Sequence, residues 1–597
     1  MRGRTSVWAL ALAATCLFAC GEDEPTNEGE GGTGVIGCEP PCGQGFHCVD
    51  SVCVPDVLPD ADGDGVPDGA DKCPETPAGE TVDGAGCSLD QATIPWNEGP
   101  YGTGIRDVAG DFTVNTLGGP WSFRESWTGG ESYLFLVKYP DGASAYSDGY
   151  WGSDVKRLLA ETPLNTHLVL LSADAPQEDM AAMKARMDDA LSTMAHSKAA
   201  SWNQHIHYVV DDVDALDGAL GEFLAANGAN FVTGFHFGID RFQRWREVGY
   251  LGDTNRTFPI RFLGAESIYF DYERRLAWTM GALGATEVMV SDGGRHAGGW
   301  EEGYRTRLEA TFPSATEMAG FDSMAVYLYT SCPNHQQGLD AGCNEWDFAH
   351  HLLLCDASDE ESCTELVRYV TPYGREGEWL TDVSPLLPLL KDGGTRVFRY
   401  EGANGYDLHL KVLLWNAGKP FRPVEARYLW GRAPGAQTWD VSYNPAQEPM
   451  TFTVDDPSAV RVEVVASISG HGWGSTEENC AEFCNHQHEF SLNGSSFLRD
   501  HPTAGTRYGC YERVSEGVVP NQFGTWPLGR AGWCPGQDVK PWVQDVSAAV
   551  VSGENTLSYR ALFENEPYVP AQLPDVVDPY MPELRVASWL VFYAPAP

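Results

Sequence analysis

From residue 96 to 278, short continuous apolar runs alternate with an amphipathic stretch, an alternation that predicts an α/β domain. Ser132-Tyr-Leu-Phe-Leu-Val-Lys138 and His167-Leu-Val-Leu-Leu171 are almost wholly apolar, so they predict strands covered on both faces of a sheet. Gln177 to Met194 spaces its apolar residues for one helix face, and His205 to Val210 predicts another strand. Beyond Gly281 the texture changes to aromatic and β-branched runs separated by Gly, Pro, Asn and Asp turns, as in Met324–Tyr329, Leu408–Trp415, Val460–Val465 and Leu584–Phe592. That pattern predicts antiparallel sandwiches or jelly rolls, and its length suits two, meeting between residues 425 and 440.

The first ninety residues follow a different logic. Arg2 and Arg4 precede a short apolar run, Val7 to Phe18, which ends in Leu17-Phe-Ala-Cys20 and is too short to span a bilayer as a mature helix. This resembles a bacterial lipoprotein signal, with Cys20 the lipidated first residue, and implies an exported protein anchored at the outer membrane or cell surface. Residues 21–37 are acidic, glycine-rich and nearly free of large apolar side chains, a flexible tether. Residues 38–56 pack Cys38, Cys42, Cys48 and Cys53 into a segment too short for a core, a disulfide-held knot. Outside the cytoplasm cysteines pair, and those remaining after Cys16 and Cys20 fall into local clusters; nearest-neighbour disulfides are the economical reading and zinc the runner-up.

Within residues 57–90, Asp60, Asp62, Asp64, Asp68 and Asp71 place carboxylates at alternate and closing positions of a twelve-residue loop, with Gly65 sixth for the sharp turn. That is an oxygen cage for calcium. With Cys73-Pro following and Cys87 closing, it resembles a thrombospondin type 3 repeat, in which structural calcium stiffens a stalk. Residues 91–280 resemble a thioredoxin-like domain, through Gly110-Asp-Phe-Thr-Val-Asn-Thr-Leu and Phe237-Gly-Ile-Asp-Arg-Phe-Gln-Arg. Such domains carry a nucleophilic cysteine after the first central strand; here Tyr139 to Leu158 contains none, which excludes thiol redox chemistry there.

Charge narrows the partners. A formal net charge of -45 repels polyanions, and no basic stripe is present, which argues against nucleic-acid binding. There is no G-x-S-x-G, H-E-x-x-H, phosphate loop or dinucleotide fingerprint, so the chemistry falls to carboxylates. Two are conspicuous: Glu482 is centred in Cys480-Ala-Glu-Phe-Cys484, and Asp347 closes Cys343-Asn-Glu345-Trp346-Asp347. A small disulfide ring under an acid limits its conformational freedom, as preorganised catalysis requires; a plain staple carrying a solvated charge is the alternative. One cluster in each β domain suggests a cleft between them. His486 and His488 lie at strand spacing and read as packing residues for want of a third ligand nearby.

Cys332-Pro, Cys343-x-Glu-Trp-Asp347, Thr371-Pro-Tyr373, Gly470-His-Gly-Trp-Gly474, Cys480-Ala-Glu-x-Cys484 and Trp526-Pro-x-x-Arg530-Ala-Gly-Trp-Cys-Pro-Gly536 together resemble the peptide:N-glycosidase F family. The resemblance covers residues 300 to 595. It implies two adjacent jelly rolls, 285–430 and 431–597, with an interface cleft, no catalytic cofactor, and hydrolysis of the amide joining an N-glycan's first N-acetylglucosamine to asparagine. N-glycosylated proteins or glycopeptides would be the partners of a monomeric enzyme. It implies Asp347 as principal catalytic acid, Glu482 as its partner and Glu401 as a third, with Trp346, Arg530, His471, Trp473 and Glu345 binding substrate. It also implies disulfides Cys332–Cys343, Cys480–Cys484 and Cys510–Cys534, with Cys355–Cys363 an addition. Three departures stand out: Phe348 replaces an arginine after the aspartate, Tyr400-Glu401-Gly lacks a neighbouring tryptophan, and His471 and Trp473 appear in exchanged order.

Overall fold

The computed structural model describes residues 46–49, 52–55, 60–63, 66–67, 71–77, 80–83, 85–140, 151, 154–231, 235–250, 263–296, 304–335, 337, 343–431, 436–457, 460–472, 480–567 and 581–596. Cys20, Asp64, Asp68 and Trp473 lie outside them. The described residues divide into two units, one made of those up to Ala61 together with Pro67 and the other of the rest. In the first, strands Phe46–Val49 and Val52–Pro55 pair antiparallel, with Cys48 opposite Cys53.

The second unit begins with residues tied by the Cys73–Cys87 disulfide. Asp62 there accepts from the Thr76 amide at 2.9 Å and Asp71 from the Cys73 amide at 2.7 Å. Its α/β domain carries a five-stranded sheet in the order Ile206–Tyr208, Thr166–Ser172, Ser132–Lys138, Phe235–Ile239, Trp245–Tyr250. The first three are parallel and the last two antiparallel. The apolar runs divide by the two-residue period of a strand. Leu134, Leu136, Leu168 and Leu170 pack against helices Val155–Glu161, Pro176–Leu191 and Leu263–Ala282. Tyr133, Phe135, Val137, Val169 and Leu171 face Phe112, Phe223 and Trp245 in a separate core.

The rest is antiparallel β. One roll opposes the sheet Thr286–His296, Tyr406–Trp415, Ser323–Ser331, Gly377–Asp382 to the sheet Arg305–Ser314, Gly393–Glu401, Ala349–Asp356, Asp359–Val370. The other opposes Phe421–Gly431, Glu583–Pro595, Arg461–His471, Trp542–Asp545 to Met450–Val454, Gly553–Phe563, His486–Leu492, Ser495–Arg499. The boundary expected at residues 430 and 431 is therefore displaced. Strand Phe421–Gly431 pairs with Glu583–Pro595, so the second roll starts before it. Alternation marks a strand but does not name its partner. The rolls are fused, because Gln537–Asp538 returns from the second half to pair with Val370 and Tyr369 of the first.

A cluster of buried charges joins the α/β domain to the rolls. Arg375, two residues after Tyr373, pairs with Glu266 of helix Leu263–Ala282 at 3.0 Å and donates to the Glu247 carbonyl at 2.8 Å. Asn521 donates to the same Glu266 at 2.9 Å. Beside it Arg106 pairs with Glu376 at 3.2 Å, and Arg246 makes a two-pronged pair with Glu273. Buried ion pairs persist when every donor and acceptor is answered, and removing one partner strands the other.

Candidate active site

Three loops at strand ends converge where the rolls meet. Asp347 lies two residues before strand Ala349–Asp356, Glu482 in the turn between Arg461–His471 and His486–Leu492, and Arg530 in the irregular stretch leading to Gln537. Disulfides clamp all three: Cys332–Cys343 upstream of Asp347, Cys480–Cys484 around Glu482, and Cys510–Cys534 beside Arg530. Cys355–Cys363 ties the first roll's hairpin farther out. Backbone bonds lock the loops together: the Ala531 amide donates to the Glu482 carbonyl at 2.8 Å and the Gly470 amide to the Ala531 carbonyl at 3.0 Å.

Arg530 is the centre. Only 2% exposed, its Nε donates to Glu482 Oε1 at 2.9 Å and its Nη2 approaches Asp347 Oδ2 at 3.4 Å. The remaining guanidinium protons are answered by the carbonyls of Thr525 and Leu528 and by Thr525 Oγ1. Phe483 and Trp533 approach the guanidinium as ring partners, 5.2 and 4.9 Å to their centroids. A guanidinium so enclosed is a fixed positive charge. It holds two carboxylates at one point.

Each acid has a second anchor. Tyr373 donates its hydroxyl to Asp347 Oδ2 at 2.6 Å, and the Gly472 amide donates to Glu482 Oε2 at 3.1 Å. Burial pushes both carboxyls above their usual range; Arg530 opposes this for each, and Asp347 adds to it for Glu482. Two acids around one arginine, both shifted toward the protonated form, can hold one proton between them and lend it in either direction.

Around Asp347 the surface is aromatic. Trp346 is 55% exposed and Phe348 45%, on either side of the acid in sequence. Glu345 is exposed as well. His471 stacks on Trp533 at 4.8 Å, with Nε2 2.8 Å from Ser469 Oγ, so it supports the wall behind Arg530 and has no recorded contact with either acid among the described residues. Glu401 stands apart as well. It pairs with Arg399 at 2.6 Å and Arg305 at 3.0 Å, in an ion cluster on the first roll's outer strands.

Sequence reasoning quoted Thr371-Pro-Tyr373 as a motif without seeing that Tyr373 holds Asp347, and it missed Thr525 and Phe483. It also missed a third histidine. His501 packs with His486 and His488, all three buried. The ring nitrogens of His486 and His488 are nonetheless committed. His486 Nε2 meets the Ala481 carbonyl at 3.0 Å, its Nδ1 meets His488 Nε2 at 2.9 Å, and His488 Nδ1 meets the Tyr559 hydroxyl at 2.7 Å. With the carbonyl an obligate acceptor, this chain runs from Tyr559 to Ala481, the residue before Glu482, and it braces the acid's turn.

This geometry defines a two-roll β protein with a paired-carboxylate site at the seam. Residues 440–591 match the family model for Peptide-N-glycosidase F, C terminal. The chain is also 24% identical over 281 residues to the peptide-N(4)-(N-acetyl-β-D-glucosaminyl)asparagine amidase F of Elizabethkingia miricola, covering 44% of this chain and 74% of that protein. A crystal structure of an enzyme of that name covers 52% of this chain and 97% of its own at 15% identity and a TM-score of 0.42; a glycosylasparaginase from Flavobacterium meningosepticum gives 15% and 0.40. The sequence matches support a distant kinship with peptide:N-glycosidase F through the C-terminal half.

Proposed function

We propose that the protein hydrolyses the amide between the first N-acetylglucosamine of an N-glycan and its asparagine, freeing the intact glycan and leaving aspartate. The observation that carries this reading is Arg530, one buried guanidinium shared by Asp347 and Glu482. Burial biases both acids toward the protonated form, and one proton shared by the pair is what the reaction needs. The ionised carboxylate draws a proton from water as its oxygen adds to the amide carbon, and the protonated one delivers a proton to the departing nitrogen as the C–N bond breaks. Arg530 keeps the remaining negative charge in place throughout. Trp346 and Phe348 offer faces on which sugar rings can stack, so Phe348 supplies surface where the family has a charge.

The test is product analysis on an N-glycopeptide. Free glycan with aspartate at the attachment position is the expected result. One sugar left on asparagine would identify a glycosidase instead, and retention without product a glycan-binding protein, which the exposed aromatics alone would also serve. Around this core we propose a monomer anchored through Cys20 at the outer membrane or cell surface. Calcium at Asp60, Asp62, Asp64, Asp68 and Asp71 would stiffen its stalk and take no part in hydrolysis.

A further inference from the structure

We propose that Glu131, His167 and His205 form a binding site for a divalent transition metal, zinc foremost, on the α/β domain. These residues gather at the N-terminal ends of the sheet's three parallel strands. Glu131 immediately precedes strand Ser132–Lys138, His167 is the second residue of the parallel neighbour Thr166–Ser172, and His205 ends helix His196–His205, directly before the third parallel strand. Register places Tyr133 opposite His167 and Val169 opposite His207, so the side chains of His167 and His207 share one face.

The donor set suits the ion. One carboxylate and two imidazoles are ligands zinc takes, and the negative group offsets part of the cation's charge. Glu131 Oε2 lies 3.2 Å from His167 Nε2, and Oε1 lies 3.1 Å from His205 Nε2. Two ligands about 2.1 Å from a shared tetrahedral zinc stand roughly 3.4 Å apart. The three donor atoms fall within 4.8 Å of one another. A small rotation of each ring closes them on an ion.

The outer shell is partly in place. His167 Nδ1 meets His207 Nε2 at 2.8 Å, the kind of second contact that fixes a ligand's tautomer, and Trp121 stacks on His207 at 4.2 Å. His205 Nδ1 is buried without a partner, although Nε2 faces Glu131. Glu131 and His205 keep 19% and 15% side-chain exposure, which leaves a route from solvent and a fourth position for water. The other trio, His486, His488 and His501, has no carboxylate, and two of its three members, His486 and His488, have committed their ring nitrogens to the chain that braces Glu482's turn.

Full-length protein, stripped with chelator and returned to saturating calcium, would be titrated with cobalt(II) as a visible-absorbing stand-in, then with zinc. One equivalent of cobalt should bind with four-coordinate ligand-field bands and be displaced by zinc. Glu131→Gln and His205→Ala should each weaken binding at least about 10-fold with an unchanged near-ultraviolet dichroism spectrum, while His501→Ala leaves it intact. Glu131→Gln keeps the shape of the side chain and decides the matter if His205→Ala does not fold. No stoichiometric binding would overturn the site, as would binding lost in His501→Ala and retained in Glu131→Gln.

Discussion

Two buried arginines, each set against acidic side chains, do opposite work in this molecule. Arg375 is sealed on every side by Glu266, Gln337 and the carbonyls of Glu247 and Pro520, all drawn from elements packed around it. Arg530 has an equally full set of partners, but one of its acids is not sealed: Asp347 keeps 19% side-chain exposure and stands between two exposed aromatic rings. The ingredients are the same, so composition does not separate a structural cluster from a reactive one. Access does. A carboxylate that meets solvent on one side and a fixed cation on the other can exchange a proton with a substrate, whereas one closed in by donors can only hold the fold together.

The sharpest break in this comparison comes from the exposed acid. Asp347→Asn keeps the shape and the contacts to Tyr373 and Arg530 while removing the exchangeable charge. Release of glycan should fall by roughly 10²- to 10⁴-fold, with the melting temperature little changed. Activity within a few-fold of the parent protein would refute the assigned site.

The mirror experiment removes the sealed acid. Glu266→Ala leaves Arg375 buried and uncompensated, which costs about 3–5 kcal/mol of stability. Denaturant unfolding should show that loss, while the glycopeptide turnover of the remaining folded protein stays near normal. Since Arg375 lies two residues from Tyr373, a large drop in turnover at full folding would mean that the junction also tunes the site.

A smaller effect is expected at Tyr373→Phe. Its hydroxyl donates to Asp347 and thereby lowers the acid's tendency to hold a proton, against the larger effect of burial. Without it, the Asp347 carboxyl should rise further, and the acid limb of the pH–rate profile should move to higher pH. A net neutral hydrogen bond is worth about 1 kcal/mol, so the rate at the optimum should fall roughly 5-fold. A profile that loses height without moving would count against the link between that hydroxyl and the proton.

How far these two centres could be read in advance depended on sequence distance. Strands buried on both faces were legible, because Leu134 to Val137 and Leu168 to Leu171 are unbroken apolar runs. The acids were legible because cysteines flank them at short range. The junction was not, since Arg375 meets Glu266 and the Pro520 carbonyl, each more than a hundred residues away, and no local pattern records such a meeting. Glu401 shows a signal that went unread. Arg399 sits two residues earlier on the same strand face, and that period-2 neighbour already points to an ion pair. Arg305, opposite Glu401 in register, depends on strand pairing and was out of reach.

The least drastic test uses acidity alone. At the sealed centre, burial and the nearby Glu376 push the Glu247 carboxyl up to about 8, with Arg375 pulling the other way. An unfolded glutamate titrates near 4.3, so between these values the folded protein binds the extra proton. Its stability at this group is fully present below the unfolded value and declines as pH rises to about 8. Glu247 keeps some contact with solvent, so the full shift, roughly 5 kcal/mol, is the upper bound on that decline. Glu247→Gln, which stays neutral, should flatten the slope of melting temperature against pH across this window without shifting the pH profile of turnover. A slope unchanged in the variant would place the titration elsewhere. A turnover profile that moved with it would mean that the sealed and the open arginine centres share their protons after all.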